Sequence, residues 1–196
     1  MQLAESIKRV RFIWRWYFVY NVRLIWYSAH LPQGFESASA SESIAASLDR
    51  RRREAQKVIF DIIERHSGLC GDCGRCCLEE VDRYTAFDNY IHSSLDAKLS
   101  GFGNRIYDPI WMLSSGIKRS LMRYVKDDDN KPPPCRYLSP EGCTIDKEMR
   151  PMLCASWFCP NYIRKFSSDD MDKLEAPLRE IESIHREIFF CLKRDD

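Results

Sequence analysis

The sequence predicts a mainly α-helical protein, with an irregular cysteine-rich metal-binding core packed with helices and an amphipathic aromatic-basic helix at the N-terminus. Three observations support this fold class. Apolar residues recur at helical spacing over long stretches, the period-2 alternation of strands is scarce, and eight of the nine cysteines fall into two groups. At 196 residues, the chain is long enough for one domain with an appendage.

Residues 1–35 are predicted to form the N-terminal helix, with basic residues at positions 8, 11, 15 and 23 and aromatic residues over most of the remainder. The uncharged run between Arg15 and Arg23, residues 16–22, is far shorter than the roughly 20 residues that span a bilayer. Three environments remain open: a membrane surface, another protein and the core of this domain. We expect a protein complex or a membrane surface as the partner, with residues 1–35 as a separable anchoring or docking helix.

Residues 36–47 are rich in serine and alanine and are predicted to be a linker, so that residues 48–196 form the cysteine-cluster domain. Helical patterns cover residues 47–66, 109–125 and 168–194, whereas the stretch that follows Cys77 is less regular. Pro177 either begins the regular part of the last helix or kinks it. The four arginines at 50–53 are interpreted as the solvated start of a helix.

The charge pattern limits the function classes. The 30 basic and 29 acidic residues give a formal net charge of +1, so no global field attracts nucleic acid, and we expect no nucleic-acid partner. Arg15 and Arg23 interrupt the N-terminal apolar segment, and no secretory signal is recognisable. We therefore predict a cytoplasmic protein that can be peripheral on the inner membrane, with an organellar location left open. In a reducing compartment, clustered thiols indicate metal or redox chemistry.

The candidate metal ligands are the eight clustered cysteines: Cys70, Cys73, Cys76 and Cys77, then Cys135, Cys143, Cys154 and Cys159. The spacing C-x2-C-x2-C wraps three corners of a [4Fe-4S] cluster, and a cysteine before proline, like Cys159, can also be a ligand. The eight thiols could form two sites of four, or one site with supporting thiols. Zinc is the competing metal, and spacing alone does not separate it from iron. Cys191 is interpreted as a packed thiol, and His66 and His185 as packed or capping side chains, rather than as ligands.

Three segments carry a resemblance to a known family: "CGDCGRCC" at 70–77, "PCRYLSPEGCTID" at 134–146 and "RPMLCASWFC" at 150–159. Together they resemble the YkgJ-type cysteine-cluster family, a zinc- or iron-chelating domain with a CxxCxxCC signature, over about residues 66–162. The resemblance implies metal binding by the eight cysteines far more than it implies an activity. Ile145-Asp146 and Ala155 depart from the family pattern at positions that do not supply ligands.

The leading functional hypothesis is an iron–sulfur protein, with a structural or electron-transfer role in a larger assembly. The alternative is a zinc-stapled interaction or scaffold subunit. A third hypothesis is an enzyme related to the flagellin lysine N-methylases, which look like this domain joined to further sequence. The chain has no glycine-rich loop for S-adenosylmethionine and no C-x3-C-x2-C spacing, so we assign no catalytic residues and favour a protein that is not an independent enzyme, with any small-molecule substrate left open.

Overall fold

The computed structural model of the protein describes residues 2–32, 40–66, 85–92, 138–139, 142–156 and 163–194. These residues are mostly helical, which confirms the mainly α fold class. The predicted helix at 109–125 lies outside them. The elements in chain order are α1 (Gln2–Phe12), a π-helical segment (Ile13–Val19), α2 (Tyr20–Ala29), α3 (Glu42–Glu64), α4 (Ala86–His92), β1 (Leu138–Ser139), β2 (Gly142–Cys143), a 3₁₀ turn (Lys147–Met149), α5 (Met152–Ser156) and α6 (Ser168–Arg194).

The elements α1, the π-helical segment and α2 form one unbroken helix, because the backbone keeps helical dihedral angles at both junctions. We call it the N-terminal helix. Its inner face is buried and carries Phe12, Trp16, Tyr20, Leu24 and Tyr27. Four of these are spaced by four residues, which would drift around an α-helix of 3.6 residues per turn. The wider π turns, with their i→i+5 hydrogen bonds, offset that drift.

The opposite face of the N-terminal helix carries large apolar side chains that are 46 to 75% exposed. We call this row of residues the outer stripe, and it consists of Leu3, Ile7, Val10, Trp14, Phe18, Val22 and Trp26. The helix is therefore apolar on two faces. Only the inner face belongs to the hydrophobic core of the described residues.

Helix α6 lies at the centre of the described fold and begins and ends where the sequence predicts. It runs without interruption through Pro177, and its buried face includes Leu174, Leu178, Ile181 and Ile188. At its first turn, Ser167 and Asp170 form a capping box: the Ser167 N–H donates to Asp170 Oδ2 (3.0 Å), and the Asp170 N–H donates to Ser167 Oγ (3.0 Å).

Ion pairs and ring contacts fix the directions of the helices that pack on α6. Near the start of α6, Lys8 pairs with Asp172, and near its end Tyr27 contacts Phe189, so the N-terminal helix runs parallel to α6. Helix α3 runs antiparallel, since Arg51 in its first half pairs with Glu187 near the end of α6, and Arg65 just after α3 pairs with Asp170 near the start of α6. The three helices share one hydrophobic core.

Two local predictions need correction. Helix α3 begins at Glu42, so residues 42–47, predicted to be linker, are helical. Ala45 and Leu48 are buried there, because small alanine side chains let the first turns of α3 approach the core closely. The stretch predicted to be less regular contains α4, whose Phe87 and Ile91 are buried.

The strands β1 and β2 form a short antiparallel hairpin, in which Leu138 pairs with Cys143 and Ser139 with Gly142. The hairpin adds almost no sheet to the described part of the chain. Nowhere in the described ranges is a helix both long enough and apolar enough to cross a membrane.

Candidate metal centre

Two of the eight predicted ligands belong to the described residues. Cys143 is exposed at the end of β2, and Cys154 is half-buried on α5, where it packs against the core. Their thiols are donors that suit both iron and zinc. The other six cysteines lie outside the described residues: Cys70, Cys73, Cys76, Cys77, Cys135 and Cys159. Within the described ranges, no three His, Cys, Asp or Glu side chains cluster as a metal site, so the ligand set remains a prediction.

The segment that carries Cys143 and Cys154 is anchored to α3 through Arg150. The Arg150 carbonyl accepts hydrogen bonds from Arg52 Nη1 (3.2 Å) and from Gln56 Nε2 (2.9 Å). The Arg150 guanidinium lies 4.7 Å from the ring centroid of Phe60, a cation–π contact. Helix α3 therefore contacts both the carbonyl and the side chain of Arg150, just ahead of α5.

Arg52 is fully buried, which corrects the prediction that residues 50–53 are solvated. Its guanidinium donates to Asp49 Oδ1 (2.6 Å) and to Gln56 Oε1 (2.6 Å). Burial alone would raise the pKa of Asp49, but hydrogen bonds from Arg52 and Arg53 outweigh that effect and lower the pKa. The buried charge is thus paired, as a buried guanidinium requires.

The spacing of α3 could have identified Arg52. Position 52 follows Leu48 by four residues and precedes Ala55 by three, so it falls on the buried face of the helix. Arg50 lies off that face and is exposed. A run of four identical residues thus contains both a buried and a solvated member.

Exposed ion pairs border this contact. Lys147 pairs with Glu64, and Arg53 Nη1 lies 3.2 Å from Glu148 Oε2. They join the 3₁₀ turn to α3. Because the four side chains are 40 to 60% exposed, each pair contributes little to stability.

Asp88 joins α4, the first described helix after Cys77, to α5, which carries Cys154. Its Oδ2 accepts hydrogen bonds from the N–H and the hydroxyl of Thr85, both at 2.9 Å, and its Oδ1 accepts the Met152 N–H at 2.9 Å. The carboxylate is fully buried, and these three donors satisfy it. The sequence analysis missed Asp88, although Thr85-x-x-Asp88 has the form of a capping box.

His66, four residues before Cys70, contacts the N-terminal cap of α6. Its Nε2 lies 3.3 Å from Asp170 Oδ2, and Arg65 also pairs with Asp170. Burial would raise the pKa of Asp170, but hydrogen bonds from Ser167 and His66 lower it. The end of α3, where the chain leaves for the first cysteine group, is therefore tied to α6.

His185 is packed in the core, as the sequence analysis interprets it. Its Nδ1 lies 2.9 Å from the Tyr20 hydroxyl and 2.9 Å from the Ile181 carbonyl. Burial lowers the pKa of His185 to about 4, although the nearby carboxylates of Asp88 and Glu182 act in the opposite direction. Burial raises the pKa of the Tyr20 hydroxyl and the nearby Ser156 of α5 acts in the opposite direction, so α2, α5 and α6 meet at this histidine.

Comparisons with known proteins find no family model, no curated protein and no solved structure that matches this chain. The resemblance to the YkgJ-type family therefore stays a prediction from the three cysteine-containing segments.

Proposed function

We propose that the protein binds an iron–sulfur cluster, one [4Fe-4S], through Cys70, Cys73, Cys76 and a cysteine of the second group. The remaining clustered thiols form or support a second site. The role of the protein is structural or electron-transferring within a larger assembly. The C-x2-C-x2-C spacing is the basis of the proposal for the cofactor.

One structural observation supports bringing the two cysteine groups together. The chain enters the first group from α3 and continues after it to α4, and Asp88 ties α4 to α5. The second group's Cys143 and Cys154 flank Arg150, whose carbonyl is bound by Arg52 and Gln56 of α3. Contacts of this kind order the segments before the metal binds, which lowers the entropic cost of assembling a site.

The first test is anaerobic purification of the full chain, followed by its visible absorption spectrum and analysis for iron, sulfide and zinc. We expect sulfide-to-iron charge-transfer absorption with matching amounts of iron and sulfide. A colourless protein with stoichiometric zinc would overturn the iron–sulfur proposal.

Single cysteine variants then separate ligands from packed thiols. Cys73→Ser is expected to remove most of the bound metal, because serine is a poor ligand for either ion. Cys191→Ser is the matched control, since Cys191 is half-buried on α6 and packs against the core. Equal metal content in both variants would contradict the ligand assignment.

An electron-transfer role requires, in addition, reversible redox chemistry of the cluster. The bound cluster must be reduced and reoxidised reversibly, at a potential set by burial and by hydrogen bonds to sulfur. A cluster that gives no response in voltammetry leaves only the structural role.

The second candidate is a zinc-stapled scaffold subunit. The anchoring of residues 142–156 on α3 favours it, because those contacts build a rigid module without requiring redox chemistry. Zinc content that survives purification, together with unfolding of the protein by chelators, is the expected result for this candidate. Both candidates place the protein in a reducing compartment, the cytoplasm. A peripheral location on the membrane is compatible with either candidate.

A further inference from the structure

The outer stripe is the largest apolar feature that the described fold leaves uncovered. It extends from Leu3 to Trp26, which at the rise of an α-helix corresponds to about 35 Å. The inner face of the same helix packs on α6, so the N-terminal helix stays in place without any partner on its outer side. An exposed apolar surface of this extent is typical of an interaction site.

Cations border the outer stripe, and acids are almost absent from the helix that carries it. Glu5 is the only acidic residue among residues 2–32, and it pairs with Arg9. Arg11 is a helical neighbour of Ile7 and Trp14 in the stripe, and no acidic side chain of the described residues pairs with it. Arg11 therefore contributes a positive charge that the described residues do not neutralise.

Two further arginines share a single carboxylate. Arg15 and Arg23 both pair with Glu182 of α6, one with each carboxylate oxygen. By helical spacing, Arg15 neighbours Phe18, and Arg23 neighbours Trp26. The group of three charges leaves one net positive charge beside the middle of the stripe.

A fourth cation lies at the far end of the stripe. Lys193 Nζ is 5.4 Å from the ring centroid of Phe189, and the Phe189 ring lies 5.4 Å from that of Trp26. Lys193 is exposed. Positive charge thus accompanies the outer stripe from Ile7 to Trp26.

We propose that the outer stripe binds the surface of an anionic membrane, with the N-terminal helix lying in the plane of the lipid headgroups. Tryptophan, phenylalanine and aliphatic side chains next to arginine are the composition of interfacial helices, which insert their apolar face at the boundary between headgroups and acyl chains. The uncompensated cations attract anionic headgroups. The inference is independent of the metal.

The charges also argue against a second copy of the chain as the occupant. In a symmetric pairing of two outer stripes, the same patch meets itself, so Arg11 and the arginines beside Glu182 would face further cations. No acid of the N-terminal helix is available to neutralise them, because Glu5 pairs with Arg9. Anionic lipid supplies the missing negative charge.

The test measures binding of the whole chain, as purified, to phosphatidylcholine vesicles, with and without phosphatidylglycerol, by cosedimentation. We expect binding to the anionic vesicles that weakens with added salt, and much weaker binding to the neutral ones. The double variant Trp14→Gln/Phe18→Gln is expected to lose about 30-fold in affinity for the anionic vesicles, because it removes two large apolar contacts. Arg11→Gln is expected to lose about 5-fold.

The matched control is Ile44→Gln/Val58→Gln, which removes two exposed apolar side chains of α3, 42 and 43% exposed, away from the outer stripe. It should bind vesicles like the unchanged protein. Three results would overturn the proposal: no sedimentation with anionic vesicles, equal losses in the control and the stripe variants, or a dimer in light scattering that dissociates in the Trp14→Gln/Phe18→Gln variant. Metal content, measured in the same samples, is expected to stay constant, so the outcome is separable from the metal proposal.

Discussion

The buried guanidinium of Arg52 stabilises the fold because it supplies hydrogen-bond donors to acceptors in the core. It donates to Asp49, to Gln56 and to the Arg150 carbonyl, and a smaller side chain would leave these acceptors short of donors in a dry environment. Helix α5, which carries Cys154, begins directly after this contact. Arg52 is thus a link between core stability and the placement of Cys154.

Arg52→Ala is expected to lower the free energy of unfolding by about 3 kcal/mol, because it breaks a buried ion pair and leaves a cavity. Urea unfolding measures this change. Arg50→Ala is the control from the same run of arginines, since Arg50 is exposed and a surface substitution changes stability by about 0.5 kcal/mol or less. Equal effects of the two variants would contradict the assigned burial.

His185 makes the stability depend on pH. Its pKa is about 4 in the folded protein against a usual value of 6.5, so the unfolded chain binds more protons between these two values. The contribution of His185 to the free energy of unfolding is therefore largely present above pH 6.5 and is lost as the pH falls towards 4. The groups that face the imidazole are Tyr20 from α2, Asp88 from α4 and Glu182 from α6 itself.

The free energy of unfolding is expected to fall by about 2 kcal/mol from about pH 7.5 to about pH 5. Urea titrations at several pH values measure the slope. His185→Phe keeps an aromatic ring beside Phe87 and Tyr20 but cannot bind a proton, so its unfolding free energy should vary less with pH over this range. The same slope in this variant would show that another group is responsible.

Helix α6 and the N-terminal helix show what periodicity can and cannot predict. Helix α6 has one apolar face, with acids in its first turn and cations in its last, and its limits agree with the prediction. The N-terminal helix has two apolar faces, Phe12–Trp16–Tyr20 and Val10–Trp14–Phe18, with the same spacing of four. Only the tertiary contacts with α6 decide which face is buried, and no local pattern contains them.

Charge offers a partial clue to that choice. Lys8, Arg15 and Arg23 all pair with acids of α6. These three cations therefore mark the border of the buried face, a role that an isolated helix does not reveal. For the cysteine groups the situation is reversed. Their spacing predicts metal chemistry, but the described residues include only two of the eight thiols, so the geometry of the site is not given.

Glu182→Gln is expected to loosen the N-terminal helix, because Arg15 and Arg23 lose their shared carboxylate. The Glu182 side chain is 10% exposed, so we expect a loss of about 1 to 2 kcal/mol, which high salt should reduce. Hydrogen exchange of the amides of α1 and α2 should accelerate, which mass spectrometry can follow. Asp172→Asn, which removes the exposed partner of Lys8, should have a smaller effect.

At the scale of the whole molecule, the described residues share one core, and the N-terminal helix contributes a large part of it. Residues 1–35 were expected to be separable, yet Trp16, Tyr20 and Leu24 are almost completely buried with α6. The five inner-face side chains together correspond to on the order of 10 kcal/mol of apolar burial. That is comparable to the entire stability of a typical domain.

Deletion of residues 2–30 is therefore expected to abolish cooperative unfolding, instead of releasing an intact domain. Circular dichroism during thermal denaturation, together with protease sensitivity, tests this expectation. The Trp14→Gln/Phe18→Gln variant is the control for the outer face and should keep its stability within about 0.5 kcal/mol. A truncated protein that melts cooperatively would show that the inner-face contacts are dispensable.

The packing of the N-terminal helix on α6 joins the two ends of the described chain, which delays the formation of this contact during synthesis. Trp16 bonds to Glu175 across 159 positions of sequence, so the ribosome must add that stretch before the contact can form. At about 5 to 20 residues per second, the helix waits roughly 8 to 30 s with both of its apolar faces uncovered. A nascent chain in this state needs a temporary cover, and a chaperone or a nearby lipid surface can provide one before the fold does.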